Sequence, residues 1–210
     1  MPTPIEQFQK TLQDNAADFG LRLSNDSIEK LNRYYELLLN WNDRLHLVAP
    51  CSPQEFATRH VLESIMVINH LSPDARVVDI GSGAGLPVIP CLIARPDVCA
   101  TLIESSAKKA VFLREALRGA NCQSQAQLIV ERFQQTATPD ADFVTCRALD
   151  RFPQVLPILI EWSPPTSTLL LFAGESLSNQ IKAMLPSAKV EKIPNSERRF
   201  LIIGMRQPRA

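Results

Sequence analysis

The residues best placed to do chemistry are the run Val77-Val78-Asp79-Ile80-Gly81-Ser82-Gly83-Ala84-Gly85 and the carboxylate Glu104 beyond it. An apolar strand runs into a turn with glycine at every second position. Glycine takes positive φ without a Cβ clash and lets the backbone pass close to a ligand. A carboxylate at the end of the next apolar run can accept hydrogen bonds from both hydroxyls of a ribose. Together they suit a nucleoside-bearing cofactor. A dinucleotide fingerprint needs G-x-G-x-x-G, and its sixth position here is Leu86, which disfavours a nicotinamide oxidoreductase.

G-x-G-x-G with Asp79 two residues ahead of it is instead similar to the pattern of class I methyltransferases that bind S-adenosylmethionine. That cofactor has no pyrophosphate and does not need a helix N-terminus as an anion site. The motif requires a strand-turn-helix context, and the chain supplies one. From Arg76 onward, short apolar runs (76–80, 100–104, 127–130, 143–146, 168–172) alternate with helical stretches (86–94, 106–118, 152–161, 176–185). This alternation predicts an α/β fold with a mostly parallel sheet covered on both faces. The last two runs, 188–193 and 200–204, are expected to pair antiparallel at the sheet edge. An open sheet of this kind binds its ligand beyond the carboxyl ends of its strands. The turn at 81–85, Glu104, the segment after Val130, and Arg147 all converge there.

Residues 1–72 read as a helical extension and 73–210 as the main domain. Asp26 and Glu29 have capping-box spacing, followed by Ile28, Leu31, Tyr35, Leu38 and Leu39 at helical intervals. A third helix is expected from Ser52, with Pro53 at its first position and Glu55 completing a box.

Composition narrows the class. The 210 residues suit one domain with an appendage, and 45% are hydrophobic, enough for a sizeable core. No apolar run reaches the ~18 residues of a membrane span. The five cysteines form no C-x-x-C pair, which argues against a disulfide framework or a zinc site and suits a reducing, cytoplasmic setting. The 22 basic and 22 acidic side chains cancel, so any RNA partner must be held by a local patch. Candidates are Lys108, Lys109, Arg114 and Arg118, then Arg132, Arg147 and Arg151, then Arg198 and Arg199. Each also reads as a solvated face.

Over roughly residues 25–150 the chain resembles the bacterial 16S ribosomal RNA guanine-N7 methyltransferases, the glucose-inhibited division protein B family. The resemblance is carried by Trp41-Asn42, by His60-Val61-Leu62-Glu63-Ser64, and by Gly81-Ser82-Gly83-Ala84-Gly85-Leu86-Pro87 with Ile89-Pro90. Ala94-Arg95-Pro96, Thr101-Leu102-Ile103-Glu104-Ser105, Lys108-Lys109, Phe112-Leu113-Arg114 and Arg147-Ala148 extend it. It implies a class I, Rossmann-like domain with a seven-stranded sheet, a monomer using no metal. The implied substrate is 16S ribosomal RNA or the small ribosomal subunit. Asp79, Gly81, Gly83, Gly85, Leu86 and Glu104 would line the cofactor, with Phe133 and Gln134 on its adenine side and Arg147 beside it. His60, Lys108, Lys109, Arg132 and Arg147 would face the RNA, with His60 and Arg147 at the methyl site.

Three positions depart from the family pattern. His46 stands where it has asparagine, Ala173 where it has lysine before the glycine after the fifth strand, and Val88 where it has glycine. His46 and Ala173 bear on substrate identity more than on the cofactor. They leave open another acceptor, or a cofactor- or RNA-binding module without turnover.

Guanine N7 carries a free lone pair at neutral pH, so its methylation needs alignment rather than a general base. Arg147 could hold guanine O6 or a phosphate, or it could be a salt-bridge partner of Asp150 or Asp142. His60 could be functional, tuned by Glu63, or a structural histidine. Phe133 could stack on adenine or belong to the core. Cys146 ends the fourth strand, where some RNA methyltransferases keep a nucleophile, but Thr145 replaces their proline, and a buried structural cysteine is the expectation. Ser163-Pro164-Pro165-Thr166 reads as a loop with two helix breakers.

Overall fold

The computed structural model of the chain describes residues 1–205. Helix α1 (Pro4–Asn15) begins with a reciprocal box. The Thr3 hydroxyl accepts from the Glu6 amide at 3.2 Å, and the Glu6 carboxylate accepts from the Thr3 amide at 2.6 Å. Helix α2 (Asn25–Leu45) corrects the capping box expected at Asp26 and Glu29. Its cap is Ser24, whose hydroxyl accepts from the Ser27 amide at 3.1 Å. An extended serine just ahead of the first turn reaches that amide, and the two acids pair one turn on with Lys30 and Arg33.

The third helix, α3, runs over residues 53–70. Ser52 caps it and accepts from the Glu55 amide at 3.1 Å, as the sequence implies. The Glu55 carboxylate turns to Arg59 at 2.8 Å. The helix then widens into a π-helix over Phe56–Leu62 and closes as a 3-10 helix over Met66–His70. Such π segments recur at functional sites, and this one carries Arg59 and His60.

Strands β1 (Arg76–Ile80), β2 (Cys99–Ile103), β3 (Ala126–Ile129), β4 (Phe143–Cys146) and β5 (Thr168–Gly174) pair parallel. Helices α4 (Val88–Ala94), α5 (Ala107–Gly119), α6 (Phe152–Trp162) and α7 (Glu175–Met184) connect them, with β6 (Lys189–Lys192) and β7 (Arg199–Gly204) last. The seven strands are ordered β3-β2-β1-β4-β5-β7-β6, and β7 is antiparallel to both neighbours. The final pair is antiparallel, yet only β6 forms the edge. The reason is composition. Leu201 and Ile202 of β7 are buried, whereas the Lys-Val-Glu-Lys of β6 suits a solvated edge that resists further pairing.

Successive sheet residues point to opposite faces. Val77, Ala100, Leu102, Leu170 and Phe172 pack into one core with α1–α5, so the N-terminal helices and the sheet share a continuous interior. Val78, Ile80, Ile103, Val144, Leu169 and Leu171 pack with α6 and α7 on the other side. The strand order reverses between β1 and β4. A crevice therefore opens at their carboxyl ends, where ligands of open α/β sheets bind.

Candidate functional site

The glycine turn follows β1. Gly81, Gly83 and Gly85 have φ of 69°, 53° and 83°. A Cβ at Gly81 would collide with Leu149 and one at Gly85 with Ile89, while one at Gly83 would meet nothing nearer than the Gly81 carbonyl at 3.6 Å. Gly83 thus presents bare backbone to the cleft. The turn is tied to the next strand, because the Gly81 and Ser82 amides both donate to the Ile103 carbonyl, at 2.8 and 3.2 Å.

Glu104, at the end of β2, is buried and accepts from the Gly83 amide at 2.8 Å and the Ser106 amide at 2.7 Å. These two bonds hold its plane, and each oxygen keeps a lone pair for a ribose hydroxyl. Asp79 lies beneath the turn, 1% exposed, and both of its carboxylate oxygens lack a partner. The Ser82 hydroxyl donates to the Asp79 carbonyl at 3.2 Å and not to the carboxylate. Burial pushes the Asp79 carboxyl up to about 7, and Glu104 adds to the rise. Such an unpaired acid gains from positive charge in the cleft above it, and S-adenosylmethionine carries an ammonium and a sulfonium. The glycine cradle, the fixed Glu104 and this orphaned carboxyl together fit that cofactor.

The cleft has two chambers that meet at Gly81, Ser105, Leu149 and Asp150, with Leu149 lying over Gly81. One, of about 450 Å³, holds Gly83, Leu86 and Glu104 with His60, Lys109 and Arg147. The other, of about 480 Å³, holds Arg132, Phe133 and Gln134. A long ligand crossing Gly81 would lie in both. Gly85 sits behind the turn against Ile89, and Lys108 is exposed next to Lys109. Phe133 is only 4% exposed and packs edge-on to Trp162 at 5.5 Å, so it is core and chamber wall at once.

Arg147 pairs with neither Asp150 nor Asp142. Asp142 is taken by Arg76, and Arg147 turns to α3 instead. One terminal nitrogen donates to the His60 carbonyl (3.0 Å) and the Ser64 hydroxyl (2.7 Å). The other donates to the Arg59 carbonyl and, at 3.3 Å, to Glu63. The guanidinium lies 5.2 Å over the Phe172 ring. Burial lowers Arg147 to about 10, so it stays cationic at neutral pH. These contacts make Arg147 a positioning residue that fixes the π-helix against the sheet, with its terminal nitrogens already engaged.

Glu63 does not tune His60. Its buried carboxylate accepts from Arg199 (2.9 and 2.5 Å) and Arg147, which engages Nε and Nη2 of Arg199. Burial, with help from Arg147, Arg59 and Arg199, pushes the His60 imidazole down to about 3. His60 therefore lines the chamber as a neutral donor and acceptor. Burial raises the Cys146 thiol well above its ordinary value, which leaves it inert as a nucleophile. Among the described residues no cluster of three or more His, Cys, Asp or Glu is arranged to hold a metal ion.

Several residues that shape the site escaped the sequence. Tyr34, on α2 and fully buried, donates its hydroxyl to the Ala84 carbonyl inside the turn at 2.8 Å. Asn42, legible in the sequence only through the Trp41-Asn42 resemblance, clamps Val48 by accepting from its amide (3.0 Å) and donating to its carbonyl (3.1 Å), which holds the wall formed by Leu47, Val48 and Ala49. Leu149 has no local signature either. The departure at His46 has a backbone explanation. It caps α2 at φ 47°, a conformation that asparagine and histidine both tolerate.

Similarity to known proteins agrees with this geometry. Among solved structures, the mitomycin 7-O-methyltransferase MmcR superimposes with a TM-score of 0.61 at 15% identity, over 98% of this chain and 74% of that one. The P. horikoshii TYW2 structure in complex with MeSAdo gives 0.56 at 14% identity, over 70% and 62%. These likenesses concern the fold. In sequence, the ribosomal RNA small subunit methyltransferase G of Sorangium cellulosum is 34% identical over 186 residues, 85% of this chain and 76% of that protein. Its namesake in Xanthomonas axonopodis pv. citri is 37% identical over 155 residues, 73% and 72%. The profile of one family, GidB, described as rRNA small subunit methyltransferase G, matches residues 27–206, and the turn, Glu104 and the arginine-braced helix all fall inside that span. A glycine cradle at the strand-order reversal and this span of matching sequence lead to one conclusion: the chain is a class I methyltransferase belonging to the GidB family.

Proposed function

We propose that this methyltransferase moves the methyl group of S-adenosylmethionine to guanine N7 in the 16S RNA of the small ribosomal subunit. The observation that carries the reading is the fit of the glycine turn, Glu104 and Asp79 to S-adenosylmethionine inside a span, residues 27–206, that matches the rRNA small subunit methyltransferase G family, and the state of His60 is in keeping with it. The imidazole on the acceptor side of the cleft is held neutral, far too weakly basic to serve as a general base. Guanine N7 needs no base, because its lone pair is free to attack. When bound, the cofactor supplies an electrophilic methyl carbon and leaves as a neutral thioether, so no proton moves.

The chain's own residues then have positioning roles. Glu104 holds the ribose, Gly83 lets the ligand approach the backbone, Gly81 lines both chambers and leaves room for Leu149, and Asp79 favours the cofactor's positive charge from below. Leu86 lines the methionine side, and Phe133 with Gln134 the adenine side. His60 offers a neutral hydrogen-bonding edge to the base. Arg147 keeps α3 and His60 in place. Lys108, Lys109 and Arg132 take RNA phosphates at the mouth. We place the enzyme in the cytoplasm as a monomer without metal. No helix among the described residues is long and apolar enough to cross a membrane.

The test uses labelled S-adenosylmethionine and small subunits from a strain lacking the guanine-N7 methylase, read by nucleoside mass spectrometry. The expected product is 7-methylguanosine. Cofactor binding with unmodified subunits would overturn the substrate assignment.

A further inference from the structure

A further cavity, of about 290 Å³, adjoins the chamber that holds Gly83, Glu104 and His60, and its lining includes neither the glycine turn nor Glu104. The two share His60, Arg147 and Ala148. Its floor is apolar, formed by Phe172, Ala173 and Leu177, with Gly174 beside them. Its charged wall is Arg59, Arg147 and Arg199 against the single acid Glu63, an excess of two positive charges. The donors divide unequally. Arg147 spends both terminal nitrogens on α3, and Glu63 spends both oxygens on Arg147 and Arg199. Arg199 binds Glu63 through Nε and Nη2, which leaves Nη1. Arg59 binds Glu55 through Nη1, which leaves Nε and Nη2. Two arginines at the rim thus keep free donors over an apolar floor.

That combination suits one nucleotide: a flat apolar base below and an anionic phosphate at the rim. The volume exists because β5 ends in small residues. Gly174 lies on the same face of β5 as Phe172, has ordinary extended backbone (φ −79°), and a Cβ there would meet nothing nearer than the Arg198 carbonyl at 3.8 Å.

We infer that this cavity receives an RNA nucleotide adjacent to the one that is methylated, with its phosphate on Arg59 and Arg199 and its base on the floor at Ala173 and Gly174. The inference rests on the RNA-methylation reading above. In this chain Ala173 would leave room for a base, and the phosphate contact falls to the two arginines.

The test separates this site from the parent reading. A fluorescein-labelled single-stranded RNA decanucleotide of mixed sequence is titrated into the full-length protein, and transfer to small subunits is measured in parallel. Gly174→Leu fills the cavity at an unstrained position, and Leu177→Trp fills it from α7. Both are expected to weaken RNA binding about tenfold by excluding the base from the cavity, about 1.4 kcal/mol, while S-adenosylmethionine affinity stays within about twofold. Arg59→Gln should shallow the slope of log affinity against log salt by about 0.7, one phosphate contact on a single strand. Unchanged RNA affinity in both filled variants, with wild-type melting temperatures, overturns the inference. So does a wild-type protein that binds no RNA. Absence of transfer to subunits by a wild-type protein that still binds RNA through this cavity would sink the guanine-N7 assignment and leave the nucleotide site standing.

Discussion

The low basicity of His60 has a measurable cost in stability. Unfolded, this histidine titrates with an ordinary value; folded, burial and three neighbouring arginines hold it down to about 3. As pH falls below the unfolded value, the unfolded chain takes up a proton that the folded chain refuses. Stability from this group is therefore present above about pH 6.5 and is lost progressively toward pH 3. Between pH 7 and pH 5 the linkage amounts to at most about 2 kcal/mol, from about 1.4 kcal/mol for each pH unit below the unfolded value. Urea unfolding of wild type and His60→Gln at both pH values isolates the term, since other groups cancel in the double difference. Wild type should lose about 2 kcal/mol more than the variant, a difference of about 4–8 °C in melting temperature for a domain of this size. The imidazole proton resonances should stay flat over the same range. Equal losses in the two proteins, or a resonance that titrates near pH 6.5, would show that His60 accepts a proton in the fold and would undo the argument that it cannot serve as a base.

Glu104→Gln keeps the shape but loses the charge that binds the Gly83 and Ser106 amides, and should raise the S-adenosylmethionine dissociation constant by roughly thirty- to several-hundredfold, about 2–4 kcal/mol by calorimetry; normal affinity would refute the ribose assignment. Tyr34→Phe leaves the Ala84 carbonyl without its buried donor and should cost about 1–3 kcal/mol in urea unfolding, with unchanged stability the contrary result. Asp79 is raised to about 7, so its contribution to stability is present below its unfolded value and is lost as pH climbs through about 7. Asp79→Asn should therefore be spared the decline that wild type shows over that range. Cofactor binding to wild type near pH 6.5 should release a proton, seen by calorimetry in buffers of different ionisation enthalpy, and the asparagine variant should release none. Gly85→Val forces a branched side chain into φ 83° and into Ile89, and should unfold the turn, read as a lower melting temperature together with lost cofactor affinity.

The sequence alone determined the elements and the cofactor side of the site, because those signals are local. Alternation of apolar runs with helical stretches places β1 to β5, and a glycine at every second position after Asp79 marks the turn whatever surrounds it. Glu104 follows from the same logic, since it need only end the next strand. A cap is legible where a serine stands alone ahead of the first turn, as at Ser52, and ambiguous at Asp26, where the nearby Ser24 competes and wins. What tertiary structure decided is pairing between distant residues. Nothing local reveals that Arg147 meets a helix more than 80 residues earlier and not Asp142 or Asp150. Nor does it show that Glu63 is held between two arginines rather than beside His60, or that Tyr34 reaches the glycine turn. The place of β7 inside the sheet was hidden for the same reason: strand order is set by which surfaces bury most against each other, and that choice is made only when the whole chain has collapsed.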